Sequence, residues 1–444
     1  MFWQLFSKKE ATGKTQARPD ASTQPVKQQP ADDGEGRKPV KLPLSLLKKL
    51  MPIGQLSEAE LGQLDIRITQ FPAGSIIFKN AGVSDSLIYL IEGSVFLEAG
   101  NGSGYEITAG TLKALYPLSN GSLHNMTAFA RSAAKVIYIP QQAMQLSNRL
   151  EGLLFTDEIR IPGKLQNNDF FRRFYHNFRK SKLEIPTLPN ISIRLQQAMQ
   201  KDPGIHEIVK IVELDPVIAA KLIQVANSPF YRTANPITSC HGAINRLGLV
   251  TTRSLVTSIS MRNLFRSKNK NINIRFQKLW EQSVRISVLS CTLASLTRKA
   301  DPGEALLAGL VHNIGALPLL KFASEQPEGA YDSNELDRCL RHAQGMIGAF
   351  ILKKWDFPER LEKIPIICEN WYFDDNSDFN LADIIILAKF HSLMGSQAIS
   401  MLPPINTLPA FLKLGDNALS ADMSLQILHE AKQQISEAMN FFAV

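Results

Sequence analysis

The stretch Asp215-Pro-Val-Ile-Ala-Ala-Lys-Leu-Ile-Gln-Val-Ala-Asn227 decides the fold class of the larger part of this 444-residue chain. Asp215 is a strong helix N-cap, and the proline after it suits the first helical position, where the backbone needs no N–H donor. Apolar residues then recur at helical spacing, at Ile218, Leu222 and Val225. The chain after residue 183 repeats this 3.6-residue period and breaks it at proline or glycine. The sequence therefore predicts an all-α body over 183–444.

Upstream, between Ile66 and Pro140, the hydrophobic period changes to two. Short apolar runs such as Leu87-Ile-Tyr-Leu-Ile91 alternate with glycine-rich turns, a pattern typical of a β-sandwich or barrel. Residues 7–41 are polar and have almost no large apolar side chains, so a disordered tail is expected. We therefore predict an α+β multidomain protein with four parts: a disordered tail over 1–41, a β-roll domain over 42–150, a linker helix over 151–182 and a helical domain over 183–444.

The composition, with 44% hydrophobic and 20% charged residues, is that of a soluble globular protein. No run approaches the roughly eighteen uninterrupted apolar residues that span a bilayer, so no transmembrane segment is expected. Four scattered cysteines without a CxxC pair indicate buried free thiols in a reducing cytoplasm. The apolar residues 1–6 are too short for a signal-peptide core, and their role stays open between a frayed start and a docking point on a membrane or a partner protein.

The formal net charge of +8 raises the question of nucleic acid, but 41 acidic residues are interspersed among 49 basic ones. The basic residues that do cluster form two groups: Arg172, Arg173, Arg179, Lys180 and Lys182, and Arg262, Arg266, Lys268 and Lys270. Solvated faces explain such groups better than a nucleic-acid footprint, which requires one coherent basic surface. Nucleic acid is therefore not expected as a partner, and a nucleic-acid-binding regulator remains an alternative.

The stretches Phe71-Pro-Ala-Gly-Ser-Ile-Ile-Phe78 and Ser86-Leu-Ile-Tyr-Leu-Ile-Glu-Gly-Ser-Val95 resemble the first half of a cyclic-nucleotide-binding domain over roughly residues 50–150. Members of that family that bind the ligand carry a Gly-Glu pair at the start of a short helix and an arginine about ten residues later, which together hold the ribose and the phosphate. Here Lys113 and Ala114 occupy the Gly-Glu positions, and His124 occupies the arginine position. The resemblance therefore implies the fold of a cyclic-nucleotide-binding domain. It does not imply that the domain binds cyclic AMP or cyclic GMP, and neither is expected as a ligand.

A longer series of motifs is similar to the HDOD family, a branch of the HD superfamily of helical bundles. The motifs are Leu183–Pro189, Asp215-Pro216, Leu222–Phe230, Ala243–Gly248, Leu279–Ser283, Gly309–Gly315 and His342–Pro358. Several of these residues also have structural roles that the sequence predicts. Trp280 and Trp355 are expected as core anchors, and Gly248 and Gly315 as left-handed helix C-caps.

The resemblance also implies where a catalytic site would lie. Catalytic HD proteins use an early histidine, a His-Asp pair and a later aspartate to hold a divalent metal that activates water. In this chain Gln282 falls at the early histidine, Asn313 replaces the aspartate after His312, and Lys389 lies where the late carboxylate would be. We therefore expect a buried, structural His312, and no metal, cofactor or enzymatic activity. The acidic run Asp374–Asp378 is expected to form a turn and not a metal site.

These observations favour a non-catalytic bacterial signal-transduction or regulatory protein located in the cytoplasm. It would act through protein–protein contacts of its HDOD domain, with a degenerate cyclic-nucleotide-binding-like domain for input or docking. An HD-type, metal-dependent phosphohydrolase acting on nucleotides or cyclic dinucleotides is the enzymatic alternative. The identity of the partner, the signal and the oligomeric state stay open at this point.

Overall fold

The computed structural model describes residues 42–414, with gaps at 101, 148–161, 181–185, 202–203, 229–230, 232–234, 395, 397–398 and 400, and positions 432, 435 and 436. The predicted tail over 1–41 lies outside the described residues, and so do the first eleven residues of the predicted linker. The order of elements is the expected one, with β-strands first and helices after them.

Within the described residues, three short helices precede the strands: α1 (Leu44–Leu47), a 3-10 helix (Ile53–Gln55) and α2 (Glu58–Gly62). The start of α2 is fixed by a capping box, in which the Ser57 side chain accepts from the Glu60 backbone and the Glu60 carboxylate accepts from the Ser57 backbone. This pair satisfies backbone donors that the first helical turn leaves open.

Nine antiparallel strands form the β-roll: β1 (Arg67–Phe71), β2 (Ile76–Phe78), β3 (Val83–Ser84), β4 (Ser86–Glu92), β5 (Ser94–Glu98), β6 (Gly104–Thr108), β7 (Ser122–Leu123), β8 (Thr127–Ala130) and β9 (Ala134–Pro140). They pair as β1-β9-β4, as β2-β8-β5-β6 and as β3-β7. The period of two in the sequence places Val95 and Leu97 of β5 inside the roll. A core of the roll's own side chains fills this interior.

The remaining elements are helical. They comprise α3 (Gln142–Ser147), α4 (Asp169–Arg179), α5 (Asn190–Met199), α6 (Ile205–Val212), α7 (Pro216–Ala226), α8 (Cys240–Leu247), α9 (Leu249–Met261), α10 (Lys270–Thr297), α11 (Pro302–Val311), α12 (Ala316–Ser324), α13 (Ser333–Lys354), α14 (Glu359–Glu362), α15 (Ile364–Ile367), α16 (Leu381–Leu393) and α17 (Pro409–Leu412). Further 3-10 helices lie at Leu112–Leu115, Gly163–Leu165, Arg262–Leu264 and Ile405–Thr407.

Helix α7 begins as the sequence predicts, because the Asp215 carboxylate accepts from the backbone N–H groups of Val217 and Ile218. The linker region contains a helix, α4, whose residues Phe170, Phe171 and Phe174 are completely buried. This helix therefore contributes to the core of the helical part. The predicted core positions of Trp280 and Trp355 and the four buried free cysteines are confirmed.

Gly248 is the C-cap of α8 and has a positive φ of 78°, as expected of a capping glycine, although its ψ of 166° lies outside the left-handed helical region. The expectation for Gly315 is wrong, because this glycine has an ordinary helical φ of −67°. What Gly315 provides is room: a Cβ at this position would lie 1.9 Å from the carbonyl oxygen of Gln344 on α13. The glycine is therefore required by the close approach of α13.

Helix α11 lies at the centre of the helical part, and most of its residues are buried. It packs on α10 at Gly309, where a Cβ would lie 2.6 Å from the Cα of Ser287. The Ser287 hydroxyl donates to the carbonyl of Leu306 at 2.6 Å, which satisfies this polar group inside the interface. The stretch Pro302–Glu325 is long and apolar enough to span a membrane, and 94% of its most apolar window is buried in the fold.

We expect Gly309→Ala to destabilise the helical part by about 1–3 kcal/mol, because the added methyl group overlaps the backbone of α10. Urea denaturation followed by circular dichroism measures this loss. Gly62→Ala is the matched control, since a Cβ at that position, at the end of α2, would have no neighbour within 4 Å. Equal unfolding midpoints for the two variants would contradict the close packing of α10 and α11.

Candidate functional site

The segment that corresponds to the nucleotide cassette in the β-roll contains the 3-10 helix Leu112–Leu115. Ala114 is buried in the core of the roll. Lys113 is exposed, and its ammonium group lies 5.6 Å from the centre of the Tyr105 ring. Neither residue offers the acidic side chain that would accept a hydrogen bond from a ribose hydroxyl.

His124, the residue at the predicted phosphate position, is buried inside the roll. Its Nδ1 lies 2.7 Å from the Ser119 hydroxyl, and its ring stacks on Phe78 with a centroid distance of 4.3 Å. Burial lowers the pKa of His124, so the ring is neutral at pH 7. A neutral and buried imidazole cannot balance the charge of a phosphate. Lys113 is exposed, whereas His124 is buried, so the two side chains lie in different surroundings.

The surface beside this cassette contacts a distant part of the same chain. The Tyr105 hydroxyl donates to the Asn406 side chain at 2.9 Å. The side-chain amides of Asn120 and Asn125 donate to the backbone carbonyls of Thr407 and Asn406, each at 3.0 Å. No local sequence signal marks these residues, because their partners lie more than 280 positions away.

In the helical part, His312 lies directly after α11 and is 2% exposed. Its Nδ1–H donates to the Gly309 carbonyl at 2.7 Å, which leaves the lone pair on Nε2. Burial and, to a lesser extent, the Lys389 ammonium lower the pKa of His312 to about 4. The imidazole is therefore neutral at pH 7.

Asn313 is held in an amide network and not beside a carboxylate. Its Oδ1 accepts from the Ser283 hydroxyl at 2.8 Å, and its Nδ2 donates to the Leu279 carbonyl at 3.4 Å. The sequence predicts that Gln282 lies at this site. In the structure Gln282 is exposed, and its neighbour Ser283 makes the hydrogen bond to Asn313. One residue is about 100° of rotation on a helix, which is enough to carry a side chain from the core to solvent.

Lys389 on α16 is the charged group of this site, and its side chain is only 12% exposed. Its ammonium lies 3.0 Å from Glu369 Oε1, donates to the Cys368 carbonyl at 2.8 Å and lies 5.5 Å from the centre of the Trp371 ring. Burial is the largest single influence and lowers the pKa of Lys389, but the Glu369 carboxylate and Cys368 together outweigh it and raise the pKa above its ordinary value. The lysine is therefore charged.

Glu369 is the functional-site residue that the sequence analysis missed. Its carboxylate lies beside Lys389, where the sequence predicts no carboxylate. The side-chain amide of Gln344 donates to this carboxylate at 3.2 Å. Its charge is balanced by Lys389, so the pair is a neutral unit. Glu369, which lies two residues before Trp371, belongs to no sequence motif. Only the packing of α15 against α16 places it beside Lys389.

The residues at this site do not fit a catalytic divalent metal. They supply one neutral imidazole, one amide and an ammonium–carboxylate pair, and metal sites of this type need several anionic or neutral donors free to coordinate. Within the part of the chain that the structure describes, no three His, Cys, Asp or Glu side chains are grouped to hold a metal ion. His342 is half-buried on α13, where burial and then the charges of Lys164 and Arg341 lower its pKa.

The acidic run Asp374–Asp378 forms a turn, as expected, in which the carboxylates of Asp374 and Asp375 accept from backbone N–H groups two residues ahead. The Lys413 ammonium lies 3.0 Å from Asp374 and 2.9 Å from Asp375. It also lies 3.5 Å from Asp383, a completely buried residue of α16. This cluster therefore fixes the chain after α17 to the helical part.

Comparison with known proteins defines the class of the helical part. Residues 185–366 match the HDOD domain family, so the chain contains an HDOD domain, and an antiparallel β-roll precedes it. A curated protein from Treponema pallidum (strain Nichols) is 26% identical over 189 residues. That alignment covers 40% of this chain and only 36% of the relative.

Three solved structures show similarity to parts of this chain. A candidate metal-dependent phosphohydrolase from Shewanella amazonensis SB2B is 27% identical, with a TM-score of 0.48 over 60% of this chain and 99% of that one. A candidate signal transduction protein from Marinobacter aquaeolei VT8 is 17% identical, with a TM-score of 0.43 over 70% and 73%. A candidate cyclic nucleotide-binding protein from Geobacter metallireducens GS-15 is 21% identical, with a TM-score of 0.20 over 25% and 86%.

The depressed pKa of His312 predicts a pH-dependent loss of stability. The unfolded chain binds a proton at this imidazole near pH 6.5, whereas the folded chain binds it only near pH 4. The free energy of unfolding therefore decreases by up to about 3 kcal/mol as the pH falls from about 6.5 to about 4, because the folded chain keeps this ring neutral while the unfolded chain protonates it. Unfolding midpoints measured between pH 7 and pH 4.5 test this slope.

His312→Gln removes the titrating group and should flatten that part of the pH profile relative to wild type. His241→Gln, at an exposed position of α8, is the matched control. Parallel profiles for wild type and His312→Gln would show that His312 is protonated equally in the folded and unfolded chains.

Proposed function

We propose that this protein is a non-catalytic regulator that acts through protein contacts of its HDOD domain, with the β-roll as an attached input or docking module. The observation that carries the proposal is the neutral Lys389–Glu369 pair next to a neutral His312. The Lys389 ammonium pairs with the Glu369 carboxylate, so the carboxylate at this site is not free to coordinate the dication on which HD-type hydrolysis depends.

The Asn313–Ser283 network supports the same conclusion. A catalytic aspartate would need to present a free carboxylate, but the Asn313 amide uses both of its polar atoms within the bundle. Buried polar networks that are fully satisfied stabilise one packing arrangement. We therefore infer that this site stabilises the packing of the HDOD domain and that the surface of the domain binds the partner.

An exposed apolar pair at the α6–α7 turn is the surface that we propose for partner contact. Leu214 and Val217 are 62% and 61% exposed on either side of the Asp215 N-cap. Their neighbours Val212 and Ile218 are buried in the core, which holds the turn in place. Large apolar side chains on a rigid surface are the groups that protein partners bury most favourably.

The non-catalytic part of the proposal predicts that purified full-length protein retains no stoichiometric divalent metal. Elemental analysis after incubation with Mn²⁺ and desalting measures this, and the same preparation should not hydrolyse nucleotides or cyclic dinucleotides above a blank. His312→Ala is the control for any metal or turnover that depends on the His312 imidazole. Bound Mn or Fe near one equivalent, with turnover that His312→Ala abolishes at unchanged stability, would establish the phosphohydrolase alternative.

The contact part of the proposal predicts that the double variant Leu214→Asp, Val217→Asp loses specific protein partners while keeping its fold. Crosslinking in the native host followed by mass spectrometry compares it with wild type. Ile274→Asp, at a position of α10 that is 51% exposed, is the control. The same partners in all three samples would contradict this surface, and recovery of nucleic acid in their place would support the nucleic-acid-binding alternative.

A further inference from the structure

A cleft between α5, α9 and the turn from α13 to α14 lies apart from the residues discussed so far as a site or a contact surface. It consists of an inner cavity of about 170 Å³ and an adjoining, more open groove of about 490 Å³. Leu188, Gln196, Gln200 and Asp356 line both, so the groove leads into the inner cavity. A cavity of roughly the inner volume holds a group of the size of a benzene ring.

Two of the motifs that resemble the HDOD family, Leu183–Pro189 and His342–Pro358, contribute walls to this cleft. The Trp355 indole N–H donates to the Pro186 carbonyl at 2.9 Å, which joins the two motifs directly. Gln196 on α5 donates to the Trp355 carbonyl at 3.1 Å and ties the same turn to the opposite wall. Hydrogen bonds therefore fix the walls of the cleft without a ligand, and ligand sites are usually pre-formed in this way.

Two polar side chains of α9, Arg253 and Thr257, line the inner cavity. They are four positions apart and so lie on one face of the helix. Thr257 is only 3% exposed, and among the described residues its hydroxyl has no hydrogen-bond partner, whereas Ser258 donates to the Ser254 carbonyl at 2.7 Å. The half-buried Arg253 guanidinium likewise has no hydrogen bond or ion pair with any described residue. Both groups are therefore available to a ligand.

The charge of Arg253 is not neutralised inside the cavity. Burial lowers the pKa of Arg253, the Glu304 carboxylate raises it and the Arg360 guanidinium lowers it, and a guanidinium stays charged at ordinary pH. Glu304 forms an ion pair with Arg360, so its own charge is balanced. The carboxylate of Asp356, in the cleft wall, accepts from the Gln200 side-chain amide at 3.3 Å. The inner cavity therefore keeps a positive group that favours an anion.

The rest of the inner cavity is largely apolar. Side chains of four different elements contribute to it, namely Leu188, Met199, Leu307, Phe357 and Leu361. An apolar cavity with a few well-placed polar groups is the usual design of a small-molecule site. Here the polar groups are a guanidinium, which forms charge-assisted hydrogen bonds with carboxylate or phosphate oxygens, and a hydroxyl that can donate one more.

We propose that this cleft binds a small organic anion, whose carboxylate or phosphate group pairs with Arg253 and Thr257 and whose apolar body fills the inner cavity. The outer groove then gives the ligand its path from solvent. This inference goes beyond the proposed protein contacts, because neither Leu214 nor Val217 lines the cleft. It is also separate from the site around His312, which does not line the cleft either.

Ligand-observed NMR on the full-length protein tests the site with three probes: benzoate, phenyl phosphate and the neutral benzyl alcohol. We expect at least one of the two anions to bind with a dissociation constant of about 1 mM, which is reasonable for ligands of this size. The alcohol should bind about tenfold more weakly or less tightly still, because it cannot form a charge-assisted hydrogen bond with Arg253. The tighter of the two anions identifies the anionic group that the site prefers.

Arg253→Met removes the charge with little change in side-chain length and should weaken binding of the anion about tenfold or more. Arg253→Lys should restore part of the loss, since it returns the charge without the planar fork of donors. Thr257→Val replaces the hydroxyl by a methyl group of similar size and should weaken binding about threefold or more. Arg285→Met, at an exposed position of α10, is the matched control and should bind as wild type does.

Three results would overturn the proposal. The first is that neither anion binds up to about 20 mM, well above the expected dissociation constant. The second is that benzyl alcohol binds as tightly as the anions, because the cavity would then recognise only the ring. The third is equal binding by Arg253→Met and Arg285→Met. If circular dichroism shows that Arg253→Met does not fold, Thr257→Val decides in its place.

Discussion

The close approach of α11 to its neighbours is the constraint on which the helical part depends. Gly309 allows the backbone of α10 to lie against α11, and Gly315 allows α13 to do the same just beyond its end. A methyl group at either position would overlap backbone atoms, which cannot move aside as a flexible side chain can. Since His312 and Asn313 lie between these two glycines, the glycines also fix the position of the candidate site.

The site at that position is built from neutral groups and one balanced ion pair. His312 is neutral because it is buried, Asn313 is bound to Ser283, and the Lys389–Glu369 pair supplies a balanced charge. An ion pair of this kind does not by itself stabilise a fold strongly, but removal of Glu369 would be costly because the Lys389 charge stays largely buried. The pair thus fixes α16 relative to the turn after α15.

The two parts of the chain share a hydrophobic core and also make polar contacts. Side chains of β4 and β9, among them Leu87, Tyr89 and Ile137, are buried in one core with residues of the helices. Beside this shared core, the side chains of Tyr116 and Asn120 donate to the backbone carbonyls of Met401 and Thr407. Apolar burial and specific hydrogen bonds therefore hold the two parts together.

The order of the domains could be predicted from the sequence, because hydrophobic periods of 2.0 and 3.6 residues follow directly from strand and helix geometry. The start of α7 at Asp215 is likewise a local property of the chain. Only the tertiary structure decided that Ser283 and not Gln282 meets Asn313, because the phase of a long helix depends on how it packs. Packing alone also brought Glu369 to Lys389 and residues 401–408 to the β-roll. Contacts between positions so far apart leave no local pattern, since they arise only when the elements that carry them have been assembled.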